Sequence, residues 1–224
     1  MPDALIREAA AQNIIIDATS FIQTEPVIDN AVAAQIRELF QKPITAVFTS
    51  ANAVKAVAPI YKKPKSWKVY SISNTTARLI TELFKILISG MAGNAATLAD
   101  VIIKDRPKKV YFFCGNLRRD ALPEKLRQAN IEVEELVVYQ TTETPTVITT
   151  VYDGILFYSP STVHSFFSVN TVEAATQLFA IGFTTAETIL LYTSNPVKIS
   201  DKAGKEDMVH QVIQHFNIQK GKTE

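Results

Sequence analysis

Short β-rich runs alternate with helical patterns along most of this chain, and that alternation leaves few folds open. "ITAVFTS" precedes a helical pattern over 52–61, "WKVYSIS" one over 74–84, "KILIS" one over 95–103 and "KVYFFCG" one over 117–129, before "IEVEELVVY". A period of two giving way repeatedly to a period of 3.6 describes successive βα units on a parallel sheet. After the polar stretch "QTTETPTVITT" the pattern resumes with "DGILFYS", a helix near 162–168, "QLFAIG", a helix near 184–192 and another near 207–216. The expected class is α/β with two flavodoxin-like lobes on parallel sheets.

The chain also repeats itself. Val54 of "FTSANAV" matches Val163 of "FYSPSTV", and Thr76 of "SNTTA" matches Thr185 of "GFTTA", each pair 109 positions apart. A second register of 117 positions sets "DALIREAAAQNIII" from Asp3 over "DALPEKLRQANIEV" from Asp120, Asn13 over Asn130, and "IQT" at Ile22 over "YQT" at Tyr139. The two registers together predict a discontinuous lobe, 1–25 with 145–224, around an inserted continuous lobe, 28–138. The crossings, about 20–27 and 138–146, are β-branched or aromatic, then polar, and end in Pro, as a two-stranded connector does. The strand and turn at 110–119, "VYFFCGNLRR", have no counterpart ahead of Asp3, so the discontinuous lobe is expected to lack its opening strand.

Composition narrows the function. The 224 residues carry 23 Lys and Arg against 22 Asp and Glu, a formal charge of +1, with no long basic run, so no nucleic-acid or membrane partner is expected. The N-terminal dozen residues have acids among their apolar positions and no basic start, no apolar run reaches membrane length, and one cysteine excludes an intrachain disulfide; a cytoplasmic monomer is the expectation. The three histidines, His164, His210 and His215, show no metal-ligand spacing, and the two in the 207–216 helix read as solvent-exposed. Neither metal nor cofactor is expected. Cys114 has no His or acid placed by sequence to activate it and reads as a buried structural thiol.

What remains is a set of small polar residues at predicted strand ends: Thr49, Ser50, Asn52, Ser73, Asn74, Thr76, Ser159, Ser161, Thr184 and Thr185. Each is a good helix N-cap, which accounts for any one turn taken singly. Grouped on one edge of each lobe, they would also offer hydroxyls and backbone N–H groups across a cleft, a surface suited to carboxylates or phosphates without dense positive charge. Arg118 and Arg119 either contact ligand carboxylates or open a helix as solvated residues. The runner-up readings are a two-lobed small-molecule anion-binding protein without catalysis and a flavodoxin-like interaction module.

The stretches "VFTSANAV", "AGNAATLADVI", "VYFFCGNLRRDALPEKLRQANIEVEELVVYQT", "ILFYSPSTVHSFF" and "FAIGFTTAETI", spread over 44–191, resemble the uroporphyrinogen-III synthase family. The resemblance implies two α/β lobes on a two-stranded connector, no cofactor, and a linear tetrapyrrole rich in carboxylates as substrate. It implies a lyase reaction in tetrapyrrole biosynthesis: hydroxymethylbilane is dehydrated and cyclised with inversion of ring D. Tyr139, the "YQT" tyrosine, would assist departure of the substrate hydroxyl. Thr49, Ser50, Asn52, Thr76, Asn116, Arg118, Ser159, Ser161, Gly182, Thr184 and Thr185 would hold the substrate. Two departures stand out: the opening strand with its Thr-Arg pair is absent, and Ser73 stands where the family commonly has Gly, which a negative φ would tolerate.

Overall fold

A computed structural model describes residues 3–64, 66–72, 74–201 and 204–220, and Ser73 lies outside them. The chain divides into two compact units, Met1–Gln23 with Thr142–Glu224, and Thr24–Thr141.

The continuous unit is built on a six-stranded sheet in the order β1-β6-β5-β2-β3-β4. Its strands are β1 (Ile22–Pro26), β2 (Pro43–Phe48), β3 (Ser66–Ile72), β4 (Ile88–Ala92), β5 (Lys109–Gly115) and β6 (Glu132–Glu143). Strands β2 to β6 pair in parallel. The Val27 N–H donates to Val138 O and the Thr144 N–H to Phe21 O, at 3.1 and 2.9 Å, so β1 runs opposite to β6. Both strands cross the boundary between the units.

The central strands are apolar on both faces because helices cover both. Ile36, Leu39 and Phe40 from α2 (Asn30–Leu39) and its end, Val54 and Val57 from α3 (Ala51–Val57), and Ile80 and Phe84 from α4 (Asn74–Phe84) pack on Ala46, Phe48, Val69 and Phe113. Leu98 and Ile102 from α5 (Ala95–Lys104) and Leu122 and Leu126 from α6 (Ala121–Gln128) pack with Val47, Tyr70, Val110 and Phe112 on the other face. Alternate residues of one strand, Ala46 and Phe48 against Val47, thus serve different cores. The first core is a chain of rings: Phe48 stacks on Phe113 with centroids 4.6 Å apart, Trp67 lies 5.7 Å from Phe113 and Phe40 5.1 Å from Trp67.

The discontinuous unit holds a three-stranded parallel sheet, β7 (Gly154–Phe157), β8 (Gln177–Ala180) and β9 (Val197–Ile199), in that order. Val163 and Phe166 of α7 (Pro160–Phe167) and Ala186 and Ile189 of α8 (Phe183–Leu190) cover one face, and Phe21 joins them. Met208 and Val212 of α9 (Lys205–Lys220) cover the other, against Phe179. The helix α1 (Asp3–Ala10) is tied to α9 by the Glu8–His210 pair at 3.0 Å. Residues 14–20 form no strand, Ile15 is 88% exposed, and β7 is an edge strand.

Both repeat registers reappear as geometry. Ala46 faces Val69 across β2 and β3, and Ile155 faces Leu178 across β7 and β8, each residue displaced by 109; Val69 opposite Ile88 and Leu178 opposite Val197 repeat the shift. In the other register, α1 and α6 end alike. Asn13 and Asn130 take left-handed φ of 55° and 58°, and the Ile14 and Ile131 N–H groups reach back to Ala9 O and Leu126 O, both at 3.0 Å. A 6→1 bond over a left-handed Asn is the Schellman ending of a helix.

Several boundaries differ from the spacing. The strand expected at "KILIS" begins at Ile88, because Lys85 takes a left-handed φ of 54° that ends α4. The helix expected from residue 117 begins at Ala121, which leaves Pro123 in the first turn, where a missing N–H costs little. Asp29 caps α2, a helix the alternation did not include, by accepting from the Val32 N–H at 2.8 Å. His215 is half-buried, with its ring against Phe179 and Phe216, and burial with the neighbouring Lys198 ammonium lowers its pKa; His210 is exposed.

Candidate functional site

Strand order in the continuous unit singles out one place for a ligand. The chain runs outward from β2 to β3 and β4, then returns to β5 on the opposite side of β2 and continues to β6. Loops leaving the carboxyl ends of β2 and β5 therefore part in opposite directions, and such switch points are where open α/β sheets take up ligands. The residues at this one are Thr49, Ser50 and Asn52 after β2, and Gly115, Asn116 and Arg118 after β5, with Tyr139 on the neighbouring β6.

The side chains are differently committed. Ser50 caps α3, accepting from the Asn52 N–H at 3.1 Å, and Thr49, Ser50 and Asn52 are half-buried. Thr76, in the first turn of α4, is only 3% exposed, as is its repeat partner Thr185 in α8, so both hydroxyls belong to the interior. Asn116 is exposed but bound at both ends of its amide: Nδ2 donates to Thr141 O at 3.1 Å and Oδ1 accepts from the Thr141 N–H at 2.8 Å. Arg118 donates from Nε to Glu135 and from a terminal nitrogen to Asp120 at 2.7 Å. Burial works to raise the Glu135 pKa, but hydrogen bonds from Arg118 and Arg127 outweigh it and hold the carboxyl below its ordinary value. The Arg118 charge is thus largely answered within the protein. Tyr139 is half-buried with its ring over Gly115.

In the discontinuous unit, the corresponding turns follow β7 and β8. Ser159 caps α7, accepting from the Thr162 N–H at 3.2 Å, with the Ser161 hydroxyl 3.0 Å away. Gly182 caps α8 with an extended backbone and open space where a β-carbon would stand, and Thr184 beside it is half-buried. Each unit brings its own predicted turns onto neighbouring strand ends. Sequence reasoning did not find Glu135 as the partner of Arg118, or Thr141 as that of Asn116. The acidic run "EVEE" signals an available carboxylate, but not which cation it meets.

Among the described residues, no three His, Cys, Asp or Glu side chains gather as a metal site, and no helix is long and apolar enough to cross a membrane. Cys114 is 1% exposed, and its thiol is pushed up to about 12, first by burial and then by the Glu135 carboxylate, with Arg118 opposing. A thiol so placed should react with an aromatic disulfide at pH 8 on the order of 1000-fold more slowly in the folded protein than in denaturant. Comparable rates in the two states would show that β5 leaves its sulfur open.

A doubly wound parallel sheet with capped turns at its switch point defines an open-sheet α/β protein, a class that takes up ligands at its strand ends. The family model described as uroporphyrinogen-III synthase HemD matches residues 3–210, and the chain belongs to that family. The uroporphyrinogen-III synthase of Saccharomyces cerevisiae is 30% identical over 144 residues, which are 58% of this chain and 52% of the yeast protein, so the match spans about half the length of that relative. Two crystal structures share the fold. A mutant uroporphyrinogen III synthase from the extremely thermophilic bacterium Thermus thermophilus has a TM-score of 0.63 at 14% identity, covering 96% of this chain and 95% of its own. The uroporphyrinogen-III synthetase from Helicobacter pylori 26695 has a TM-score of 0.60 at 16% identity, covering 87% and 91%.

Proposed function

We propose that the protein is a uroporphyrinogen-III synthase, a hydro-lyase that dehydrates and cyclises hydroxymethylbilane with inversion of ring D. Family membership over 3–210 is the observation that carries this reading. The two compact units are taken as the two flavodoxin-like lobes of that architecture, and β1 with β6 as their connector.

Loss of the substrate hydroxyl leaves an azafulvene cation. Attack on it by the substituted α-carbon of ring D gives a spiro intermediate that fragments and recloses as the inverted macrocycle. The bilane closes unaided to the uninverted isomer, so the protein has to favour one conformer by a few kcal/mol, each ~1.36 kcal/mol being worth tenfold in rate. Neutral donors suit this task. Backbone N–H groups at the starts of α3, α4, α7 and α8, with the Ser50, Ser159 and Ser161 hydroxyls, offer each carboxylate hydrogen bonds without a strong competing charge. Tyr139 is proposed to donate to the departing hydroxyl, and the turn residues Thr49, Asn52, Thr184 and Gly182 to contact substrate.

Incubating the pure protein with freshly generated hydroxymethylbilane and separating the uroporphyrinogen isomers tests the proposal. The expected product is isomer III, formed in proportion to protein concentration. Isomer I alone, at the rate of the uncatalysed control, would overturn it and favour an anion-binding protein without catalysis.

A further inference from the structure

Gly115 ends β5 with no obvious conformational reason to be glycine, since no described glycine has positive φ. Its neighbour supplies another reason. A β-carbon added at Gly115 would lie 2.4 Å from Cζ of Tyr139, 2.6 Å from Cε2 and 2.9 Å from the phenol oxygen, all inside the 3.0 Å that real β-carbons respect. The missing side chain is the space the phenol occupies.

Two further features act on the same ring. Cys114 faces Val137 while Gly115 faces Tyr139, so β6 carries one extra residue, Val138, at this point. A bulge of this kind re-aims the side chains beyond it, and Tyr139 packs against the core that holds Leu136 and Val138. Just past the bulge Asn116 clamps the strand. Its N–H donates to Tyr139 O at 3.3 Å, and its amide makes two bonds to the Thr141 backbone, at 3.1 and 2.8 Å. Backbone and side chain of one residue thus hold β6 on both sides of Gln140. Among the described residues the phenol oxygen itself has no hydrogen-bond partner, so its donor is unspent.

We infer that Gly115 and Asn116 are positioning residues for Tyr139: Gly115 leaves room for the phenol over the β5 terminus, and Asn116 fixes the β6 backbone from which it projects. The inference rests on the reading of Tyr139 as the hydrogen-bond donor to the departing hydroxyl. The displaced atoms in a Gly115→Ala variant are the far end of a rotatable side chain, so the cost falls on where the hydroxyl sits and not on the fold.

The test is a double-mutant cycle on isomer III formation with Gly115→Ala, Tyr139→Phe and the double variant. Gly115→Ala is expected to lower kcat about tenfold with KM changed by less than about twofold, since it moves a donor used in the transition state. Added to Tyr139→Phe, it should cost less than about twofold more, because the group it displaces is already gone. Unchanged turnover in Gly115→Ala, or the same loss in both backgrounds, would overturn the inference. Placement is read separately by ¹⁹F resonances of 3-fluorotyrosine-labelled protein, with the Tyr139 line identified through Tyr139→Phe. That line should move in Gly115→Ala while the other tyrosine lines stay, and an unmoved line overturns the placement. Should Tyr139→Phe turn over normally, the catalytic reading of Tyr139 falls, yet a moved line would still support Gly115 as setting the ring. If Gly115→Ala does not fold, Asn116→Ala takes its place in the cycle: a kcat loss confined to proteins that keep Tyr139 supports the inference, and an equal loss without it overturns the inference.

Discussion

Tyr139→Phe is expected to fold normally and bind the bilane, yet form uroporphyrinogen III about 10- to 100-fold more slowly, as one lost transition-state hydrogen bond implies. The substitution removes one oxygen and keeps the ring, so the contact over Gly115 and the packing on the Leu136 and Val138 core survive. The phenol hydroxyl has no protein partner among the described residues, so no internal hydrogen bond is broken. The measurement is kcat for isomer III at saturating bilane, alongside the thermal midpoint. Unchanged turnover would make Tyr139 a packing residue and leave the departing hydroxyl to another donor or to none.

A second large effect is expected in the continuous unit. Phe113→Ala should destabilise it by about 3–5 kcal/mol, the usual cost of deleting a large buried aromatic side chain. Phe113 is fully buried, stacks on Phe48 with ring planes 6° apart and lies 33° from the plane of Trp67. Trp67 is itself held by its indole N–H, which donates to Leu39 O at 3.0 Å, so the surrounding rings have little freedom to collapse into the cavity. A urea titration followed by Trp67 fluorescence reads this directly, since Trp67 is the sole tryptophan. A loss below about 1 kcal/mol would mean that the ring chain yields readily at its centre.

The fold class is legible because local signals set it. A strand apolar on both faces followed by an amphipathic helix appears in the letters of "ITAVFTSANAV" before any contact is known. The repeat is legible for the same reason: Asn13 and Asn130 are adjacent to the helices they terminate, and a left-handed Asn leaves a mark in sequence. The strand β9 escapes such a reading because three residues, Val197–Ile199, carry no usable period. Arg118 can be placed at a strand end, but its engagement by Glu135 joins residues 17 apart through β5 and β6, and pairing of that kind is fixed only by sheet register. Thr76 and Thr185 look like ligand handles because a buried and an exposed threonine are written alike. Tyr139 over Gly115 depends on a single extra residue in β6, which no local pattern announces.

The division of one unit between two distant segments governs the order in which this chain acquires its structure during synthesis. Residues 24–141 hold both of their apolar cores within one continuous stretch, so that unit can fold while the rest is still being made. The segment before it is made first and completed last. Phe21 has to wait for Phe166, whose ring stands 5.3 Å away, and α1 for α9, where Glu8 meets His210 and Gln12 accepts from Asn217 at 3.2 Å. Throughout that interval α1 remains a short amphipathic helix without a partner, too short to persist in water by itself. A nascent chain with residues 24–141 clear of the ribosome and α9 still inside it would therefore display one finished unit beside an unpaired preceding segment, and release of α9 is the event that joins that segment to the fold.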